Sequence, residues 1–363
     1  MDSKEKLKKF WRNKKVFITG HTGFKGSWLT SILLRFGAIV EGFSLPKIDN
    51  DILHYDFLVK RKQFNSKFKS HYGDIRNKDF LEKKLKKFNP DIIFHLAAQP
   101  LVRMSYEKPS FTYETNVIGT MNLLNSARKC SKLKSIIIVT TDKVYENKEN
   151  LTPYVESDRL GGHDIYSSSK ACAEILTESF KNSFFNLSNY KKNHNVLIST
   201  VRAGNVLGGG DWSKDRLIPD IVKSANIKKK CKIRSPNSIR PWQHVLDCLN
   251  GYLILGDKLL KKNKSYSASW NFSPNYKEIV SVEKMIKLSC KIWPDISVEY
   301  EEDNSKYESK ILLLDSTKSN NFLNWKTKYD TKKTIEKTIN WYKSYYLNNK
   351  ILTFEQIDEF FDL

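Results

Sequence analysis

Cysteine is scarce in this chain and scattered. Its five residues, Cys130, Cys172, Cys231, Cys248 and Cys290, show neither metal-ligand spacing nor the even framework of a small secreted domain. Reduced thiols in a cytoplasm are expected, and no metal site. Long apolar runs are absent too: none approaches the roughly 20 residues of a spanning helix, so no membrane partner is expected. The N-terminus, Met1 to Lys9, mixes charges and lacks the apolar core of a signal peptide. Negative charge is in deficit: 40 Asp and Glu against 62 Lys and Arg leave a net charge of +22. That excess invites a nucleic-acid reading. It consists mostly of lysine spread along the chain, with small clusters such as Lys228-Lys229-Lys230, which fits solvated faces in a chain rich in Lys, Asn and Ile. No nucleic-acid partner is expected. Arginine itself is rare, with 11 residues, so its placement is informative.

Three stretches carry chemistry. The first is an apolar run, Lys15 to Thr19, leading straight into Gly20-His21-Thr22-Gly23-Phe24-Lys25-Gly26 and then into a helical pattern, Ser27 to Leu34. Gly20 suits a tight turn, Gly23 a backbone approached by pyrophosphate, and Gly26 close packing of helix on strand. The helix start supplies N–H groups and a positive dipole end for that phosphate. A glycine triplet alone is weak evidence; strand before and helix after strengthen it.

The second is Thr140-Thr141-Asp142-Lys143, after the strand-like Ser135 to Val139. The third is Tyr166-Ser167-Ser168-Ser169-Lys170, at the start of a helical stretch. Tyr and Lys four apart share a helical face. A free tyrosine titrates at about 10, and a neighbouring ammonium favours its phenolate. That suits a base taking a proton from a hydroxyl as hydride leaves its carbon. Tyr-x-x-x-Lys also recurs by chance in helices; the glycine turn gives it weight.

Strand and helix alternate, as a doubly wound parallel α/β sheet of Rossmann type requires. Strands are expected at 38–43, 91–96, 135–139 and 196–202, and long helices over 113–128 and 166–181. Residues 49–69 read as an irregular surface excursion. Glycine and proline then become dense between Gly204 and Pro241. The tail, from Thr353 to Phe361, reads as a short docked helix with a Thr353–Gln356 capping box and an apolar face of Phe354, Ile357 and Phe361.

The glycine turn and the Tyr-Lys pair resemble the extended short-chain dehydrogenase/reductase superfamily, in its nucleotide-sugar branch. More specific blocks are similar to the CDP-glucose 4,6-dehydratase family: His95-Leu96-Ala97-Ala98-Gln99-Pro100, Gly161-Gly162-His163-Asp164, Arg202-Ala203-Gly204-Asn205-Val206, Gly208-Gly209-Gly210-Asp211-Trp212 and Arg240-Pro241-Trp242-Gln243-His244. The resemblance runs from about Phe10 to about Tyr342. It implies a Rossmann domain over 1–203 and about 244–272, a nucleotide-sugar lobe over about 204–243 and 273–350, and a helical tail at 351–363.

It also implies NAD as cofactor, CDP-glucose as substrate, and a homodimer paired through a four-helix bundle. Implied catalytic residues are Thr141, Asp142, Lys143, Tyr166 and Lys170. An epimerase needs only the Tyr, the Lys and a hydroxyl. Adjacent Asp142 and Lys143 supply the further acid and base that removing water across C5 and C6 of a hexose requires. UDP-N-acetylglucosamine dehydratases carry the same pair, so another nucleotide-hexose stays open, as does a catalytically retired relative that binds RNA or senses a nucleotide.

For the cofactor the resemblance implies Gly20, Thr22, Gly23, Phe24, Gly26, Leu96, Ala97, Ala98, Gln99, Tyr166 and Lys170. The acid expected after the second strand, which would bond the ribose, is missing; Ser44 stands near its place, and Lys47 leaves NADP open. Asp74 and Ile75 match an adenine-contacting pair; Asp74 reads equally as a helix cap. Asn116 matches a helix Asn of a proton relay, or an ordinary core polar residue. For the substrate the matching positions are Gln99, Arg103, Asn205, Arg216, Arg234, Arg240 and Glu308, with Arg240 the leading phosphate ligand. Arg202 falls in the same arginine-rich region. Trp212 and Trp242 read either as base-stacking or as packing residues.

Overall fold

The structure is a computed structural model and describes residues 3–46, 54–59, 64, 66–275, 279–301 and 311–363. Lys47 and Glu308 lie outside the described residues, as does much of the 49–69 excursion. The chain divides into two compact units: residues 1–146, 159–202 and 249–270 form the first, and residues 147–158, 203–248 and 271–363 the second. Residues 147–158 fall in the second unit, which the sequence reading did not anticipate, and so does the tail.

A seven-stranded sheet organises the first unit. Its strands are β1 (Lys15–Thr19), β2 (Ile39–Ser44), β3 (Phe68–Tyr72), β4 (Ile92–His95), β5 (Ser135–Val139), β6 (Leu197–Ala203) and β7 (Ser269–Phe272), in the order β7-β6-β5-β4-β1-β2-β3. Strands β1 to β6 pair in parallel. This is a doubly wound α/β sheet of Rossmann type whose order reverses between β1 and β4, where such sheets bind ligands. Every residue of β5 and β6 is buried, which is why β5 reads as an apolar run rather than an alternating one, while β6 buries Ser199, Thr200 and Arg202 among its apolar residues.

Helices cover the sheet: α1 (Ser3–Trp11), α2 (Phe24–Arg35), α3 (His54–Val59), α4 (Lys78–Phe88), α5 (Val102–Glu107), α6 (Pro109–Tyr113), α7 (Gly119–Ala127), α8 (Ile165–Phe184) and α10 (Val245–Leu260). Helix α4 shows how a lysine-rich stretch folds. Leu81, Leu85 and Phe88 bury one stripe, the Asn77 side chain accepts the Phe80 N–H, and Asn89 ends the helix in the left-handed region just before Pro90. Its stripe packs into a core with Phe17, Phe43, Leu123, Leu124, Ile136 and Ile138.

The helix expected over 113–128 is broken. Glu114–Ile118 forms a π turn between α6 and α7. The residues buried across this turn, Thr112, Thr115, Asn116, Gly119 and Thr120, are polar or glycine, so no apolar period marks the extra residue. Helix α8 is as expected and starts one residue earlier, capped by Asp164, whose carboxylate accepts the Ser167 N–H at 2.9 Å.

The second unit holds α9 (Leu217–Asn226), α11 (Val282–Ile292), α12 (Thr317–Leu323), α13 (Thr331–Asn348) and α14 (Thr353–Phe361), with three two-stranded pairings: Val206–Leu207 with Gln243–His244, Ile239–Arg240 with Val280–Ser281, and Cys231–Ile233 with Val298–Tyr300. The rings of Trp212, Trp341, Tyr342, Tyr345 and Tyr346 pack together. Gly209 lies under this cluster; a Cβ there would come within 1.9 Å of the Trp341 ring.

The tail helix forms, with Phe354, Ile357, Phe360 and Phe361 buried. Its expected capping box does not. Leu352 is the N-cap without a side-chain bond. Thr353 Oγ1 instead accepts from Trp341 Nε1 at 3.0 Å, and Gln356 Nε2 donates to the Lys337 carbonyl at 2.9 Å. Both side chains dock the helix rather than close its end.

Candidate functional site

The glycine turn sits at the sheet's switch point. Gly20 has φ +75°, and a Cβ there would lie 2.7 Å from the Ala97 nitrogen, so the turns after β1 and β4 abut. A Cβ on Gly26 would fall 2.0 Å from the Gly20 carbonyl oxygen, which fixes glycine there by helix–strand packing. At Gly23 a Cβ would meet only that same oxygen, at 3.4 Å. The turn is thus tight at its ends and open in the middle, at the start of α2, a cradle that fits a dinucleotide's pyrophosphate. Phe24 and Lys25 open α2 half-buried.

Buried polar groups brace this cradle. Thr19 Oγ1 bonds His95 Nδ1 at 2.7 Å and accepts the Ala97 N–H, and His95 Nε2 reaches Thr120 at 3.0 Å. The Leu96 N–H donates to the Thr19 carbonyl. Burial lowers the His95 ring to about 3, so it works neutral. His21 lies against Gly42, bonds Ser70 at 2.7 Å, and is lowered to about 4 by burial. At the end of β2, Ser44 Oγ meets Thr22 Oγ1 at 2.7 Å, joining two residues expected at the cofactor.

Asp74 is not a helix cap; Asn77 is. The Asp74 carboxylate accepts from Arg76, at 2.7 Å to Nη2, and Arg76 also reaches Glu114 at 2.8 Å. The guanidinium holds Asp74 below the usual carboxylate range. Ile75 is buried against Gly119. Gln99 turns inward: its amide donates to the Leu101 carbonyl and Thr112, and its oxygen accepts the Leu101 N–H. Asn116, in the π turn, clasps the Gln99 backbone and donates to Ser169 Oγ of α8 at 2.9 Å. Ala98 precedes Gln99 in the turn after β4, and Arg103 lies half-buried on α5.

The catalytic candidates lie on two elements that pack together. After β5 the chain makes a single 3-10 turn, Asp142–Val144, with extended Thr141 as its cap. Thr141 Oγ1 donates to Asp142 Oδ1 at 2.8 Å. Thr141 and Asp142 are buried and Lys143 is half-buried. Tyr166 and Lys170 occupy the first turns of α8. Lys170 Nζ donates to the Val139 carbonyl at 3.1 Å, tying α8 to the end of β5. Burial, with Lys25 adding to it, lowers Lys170 to about 8 against the opposing pull of Glu174. Its ammonium therefore persists at neutral pH while being easier to discharge than a surface lysine.

Arg202 is not part of an arginine-rich ligand site. It is buried in β6 and paired with Glu174 at 2.9 Å. Arg216, Arg234 and Arg240 lie in the second unit. Arg216 pairs with Asp211 at 2.9 Å, and Arg234 with Asp215 at 3.2 Å. Arg240 is buried, its Nη1 donating to the Ile239 carbonyl. Asn205 accepts the Gln243 N–H through its carbonyl. Trp212 packs among the rings described above, and Trp242 is buried with Nε1 on the Val280 carbonyl. Sequence reading missed Thr140, Tyr145 and Glu174 as parts of the site's frame. Only the spacing of Glu174, four after Lys170, hinted at one of them.

The chain matches the family described as GDP-mannose 4,6 dehydratase over residues 17–338. It is 43% identical to a CDP-glucose 4,6-dehydratase of Salmonella typhimurium over 339 residues, 93% of each chain. Among solved structures it is similar to an epimerase of Methanothermobacter thermautotrophicus, with a TM-score of 0.79, 19% identity and coverage of 98% and 97% of the two chains. It is similar also to a dTDP-glucose 4,6-dehydratase of Streptomyces venezuelae solved with NAD bound, with a TM-score of 0.77, 20% identity and coverage of 91% and 97%.

Proposed function

The chain belongs to the GDP-mannose 4,6 dehydratase family, and on that premise we propose that it is an NAD-dependent CDP-glucose 4,6-dehydratase. The observation that carries the reading is the Asp142–Lys143 turn packed on the Tyr166–Lys170 helix, in a chain 43% identical to an enzyme of that name. The glycine cradle, tight at Gly20 and Gly26 and open at Gly23, fits the cofactor.

The Gly20–Gly26 turn would hold NAD, which when bound would supply a reversible hydride acceptor for C4 and C6 of the hexose. Tyr166 takes the C4 hydroxyl proton, with Lys170 supporting its phenolate and Thr141 bonding the same oxygen. The 4-keto group acidifies the C5 proton. Lys143 removes that proton, Asp142 protonates the C6 hydroxyl, which leaves as water, and Lys143 returns the proton to C5 as hydride reaches C6. Arg216, Arg234 and Arg240, with Asn205, bind the diphosphate and nucleotide. Ser44 takes the ribose in place of the missing acid. The enzyme works as a homodimer paired through α6, α7 and α8.

The test is a panel of CDP-, dTDP-, UDP- and GDP-glucose at equal low concentration, read for 4-keto-6-deoxy product. CDP-glucose turns over fastest on this reading; faster turnover of dTDP-glucose overturns the nucleotide assignment. Deuterium at C4 of the substrate must reappear at C6 of the product; its loss to solvent ends the internal-return mechanism.

A further inference from the structure

One buried group beneath the site has no part in the chemistry just described. Glu174 lies one turn of α8 beyond Lys170, and its side chain is 3% exposed. Four donors reach its carboxylate. Oε1 accepts from Thr140 Oγ1 at 2.5 Å and Arg202 Nε at 2.9 Å. Oε2 accepts from Thr200 Oγ1 at 2.6 Å and Arg202 Nη2 at 3.0 Å. That fills the lone-pair sites a carboxylate offers. Arg202 extends the network: Nη1 donates to the Tyr145 hydroxyl at 2.7 Å, and the guanidinium lies 4.9 Å from the centre of the Tyr145 ring.

The two ends of this network bracket the catalytic turn. Thr140 immediately precedes Thr141-Asp142-Lys143, and Tyr145 immediately follows the 3-10 turn. Both are buried. Lys170 holds the Val139 carbonyl one residue before Thr140, so successive turns of α8 grip successive residues leaving β5. A buried ion pair is a poor device for stability alone, because desolvation offsets most of its attraction. It is a good device for fixing geometry, because its bonds are directional and each unmet donor is penalised.

We propose that Glu174 and Arg202 are positioning residues, a clamp that fixes the Thr141-Asp142-Lys143 turn against the Tyr166 helix for the elimination half of the reaction. The proposal rests on the dehydratase reading for its chemistry and on the bonds alone for its mechanics. Tyr166 and Lys170 stand on α8 itself and keep their places when the clamp loosens. Asp142 and Lys143 stand on the turn and do not.

Removing Glu174 or Arg202 singly strands a buried charge and threatens folding, so the test variants are Thr140→Val and Tyr145→Phe, each deleting one bond at one end. Two measurements are made on the full-length protein. In single turnovers with CDP-glucose, quenched in acid, oxidation at C4 slows less than water loss, because of its three groups only Thr141 stands on the turn while Tyr166 and Lys170 stand on α8. Water loss slows by about tenfold or more, as expected for a misplaced catalytic group, and undehydrated 4-keto-hexose accumulates. Equal slowing of both steps, or of neither, overturns the clamp. Amide exchange reads the mechanics without substrate. The Val144 and Tyr145 amides, which bond back to Thr141 and Asp142, exchange at least about tenfold faster in both variants, the weight of one bond to a charged group. Unchanged exchange in folded variants overturns the clamp whatever the substrate. Absence of any 4-keto product from the wild type overturns the dehydratase reading and leaves the exchange result to decide the clamp.

Discussion

Tyr166 and Lys143 stand on different elements, and the proposed chemistry gives them separable steps. Tyr166→Phe removes the base for the C4 hydroxyl and leaves α8 intact, because no bond of the described network runs through the phenol ring to Glu174. Oxidation at C4 is expected to fall at least about 100-fold, the usual weight of a general base, while titrated NAD affinity holds. Retention of more than a tenth of the activity removes Tyr166 from that role. Lys143→Ala does the reverse. Oxidation proceeds, the C5 proton stays, and a bound 4-keto-hexose accumulates with a rise in reduced-nicotinamide absorbance. Full dehydration by this variant removes Lys143 from the elimination. The candidate catalytic groups can be named from the sequence because the proposed chemistry demands particular residue types at particular spacings. Their supports cannot. Gln99 was read as facing a ligand, yet its amide is spent on Leu101 and Thr112. Arg202 was grouped with phosphate-binding arginines, yet it pairs with a glutamate 28 residues earlier in the chain. A side chain's partner is set by tertiary packing, which spacing does not encode.

At the scale of elements, strands and helices followed from apolar period and breakers, and the exceptions have local causes. The π turn at Glu114–Ile118 adds a residue where the buried positions, Thr115 and Asn116, are polar and carry no apolar stripe. The missing cap of α14 shows a Thr and a Gln preferring tertiary partners to their own helix end. A buried carboxylate ties the first turn of α10 to residues 328 and 329 in a pH-dependent way. Asp247, in the first turn of α10, accepts the Lys328 N–H at 2.5 Å and the Tyr329 N–H at 3.4 Å. Burial pushes its carboxyl up to about 7, against the pull of those N–H groups. A folded-state value above the unfolded one means the folded protein holds the proton more tightly. The stability from that proton is present at low pH and is lost as pH rises from about 4 through about 7. Asp247→Asn removes the titration. Melting temperatures from pH 5 to pH 8 should therefore fall more steeply in wild type than in the variant. Parallel profiles would show that Asp247 does not titrate in this range.

For the whole molecule, the doubly wound parallel sheet and the glycine turn were readable because a parallel sheet constrains its connections so tightly. The assignment of residues 147–158 to the second unit was not, since a short loop carries no pattern that names its neighbours. Association is the remaining question at this scale. A net charge of +22 opposes self-association unless an apolar face offsets it. The helices in question carry exposed apolar groups: Ile118 in the π turn is 42% exposed, and Ile175 in the middle of α8 is 58% exposed. Tyr113 Oη and Ser168 Oγ, 2.8 Å apart, hold α6 against α8, so the two helices present one surface. Two copies meeting there would bury a four-helix seam, and specific dimers of this kind bury about 1,200–2,000 Å² in total. Light scattering at micromolar concentration should give twice the 42.3 kDa chain mass. Ile175→Lys places a charge at the centre of that seam and leaves the monomer's own core untouched, because the side chain faces outward. It should yield a monomer with unchanged secondary structure by circular dichroism. A wild-type monomer overturns the dimer, and a dimeric Ile175→Lys variant moves the seam to another face.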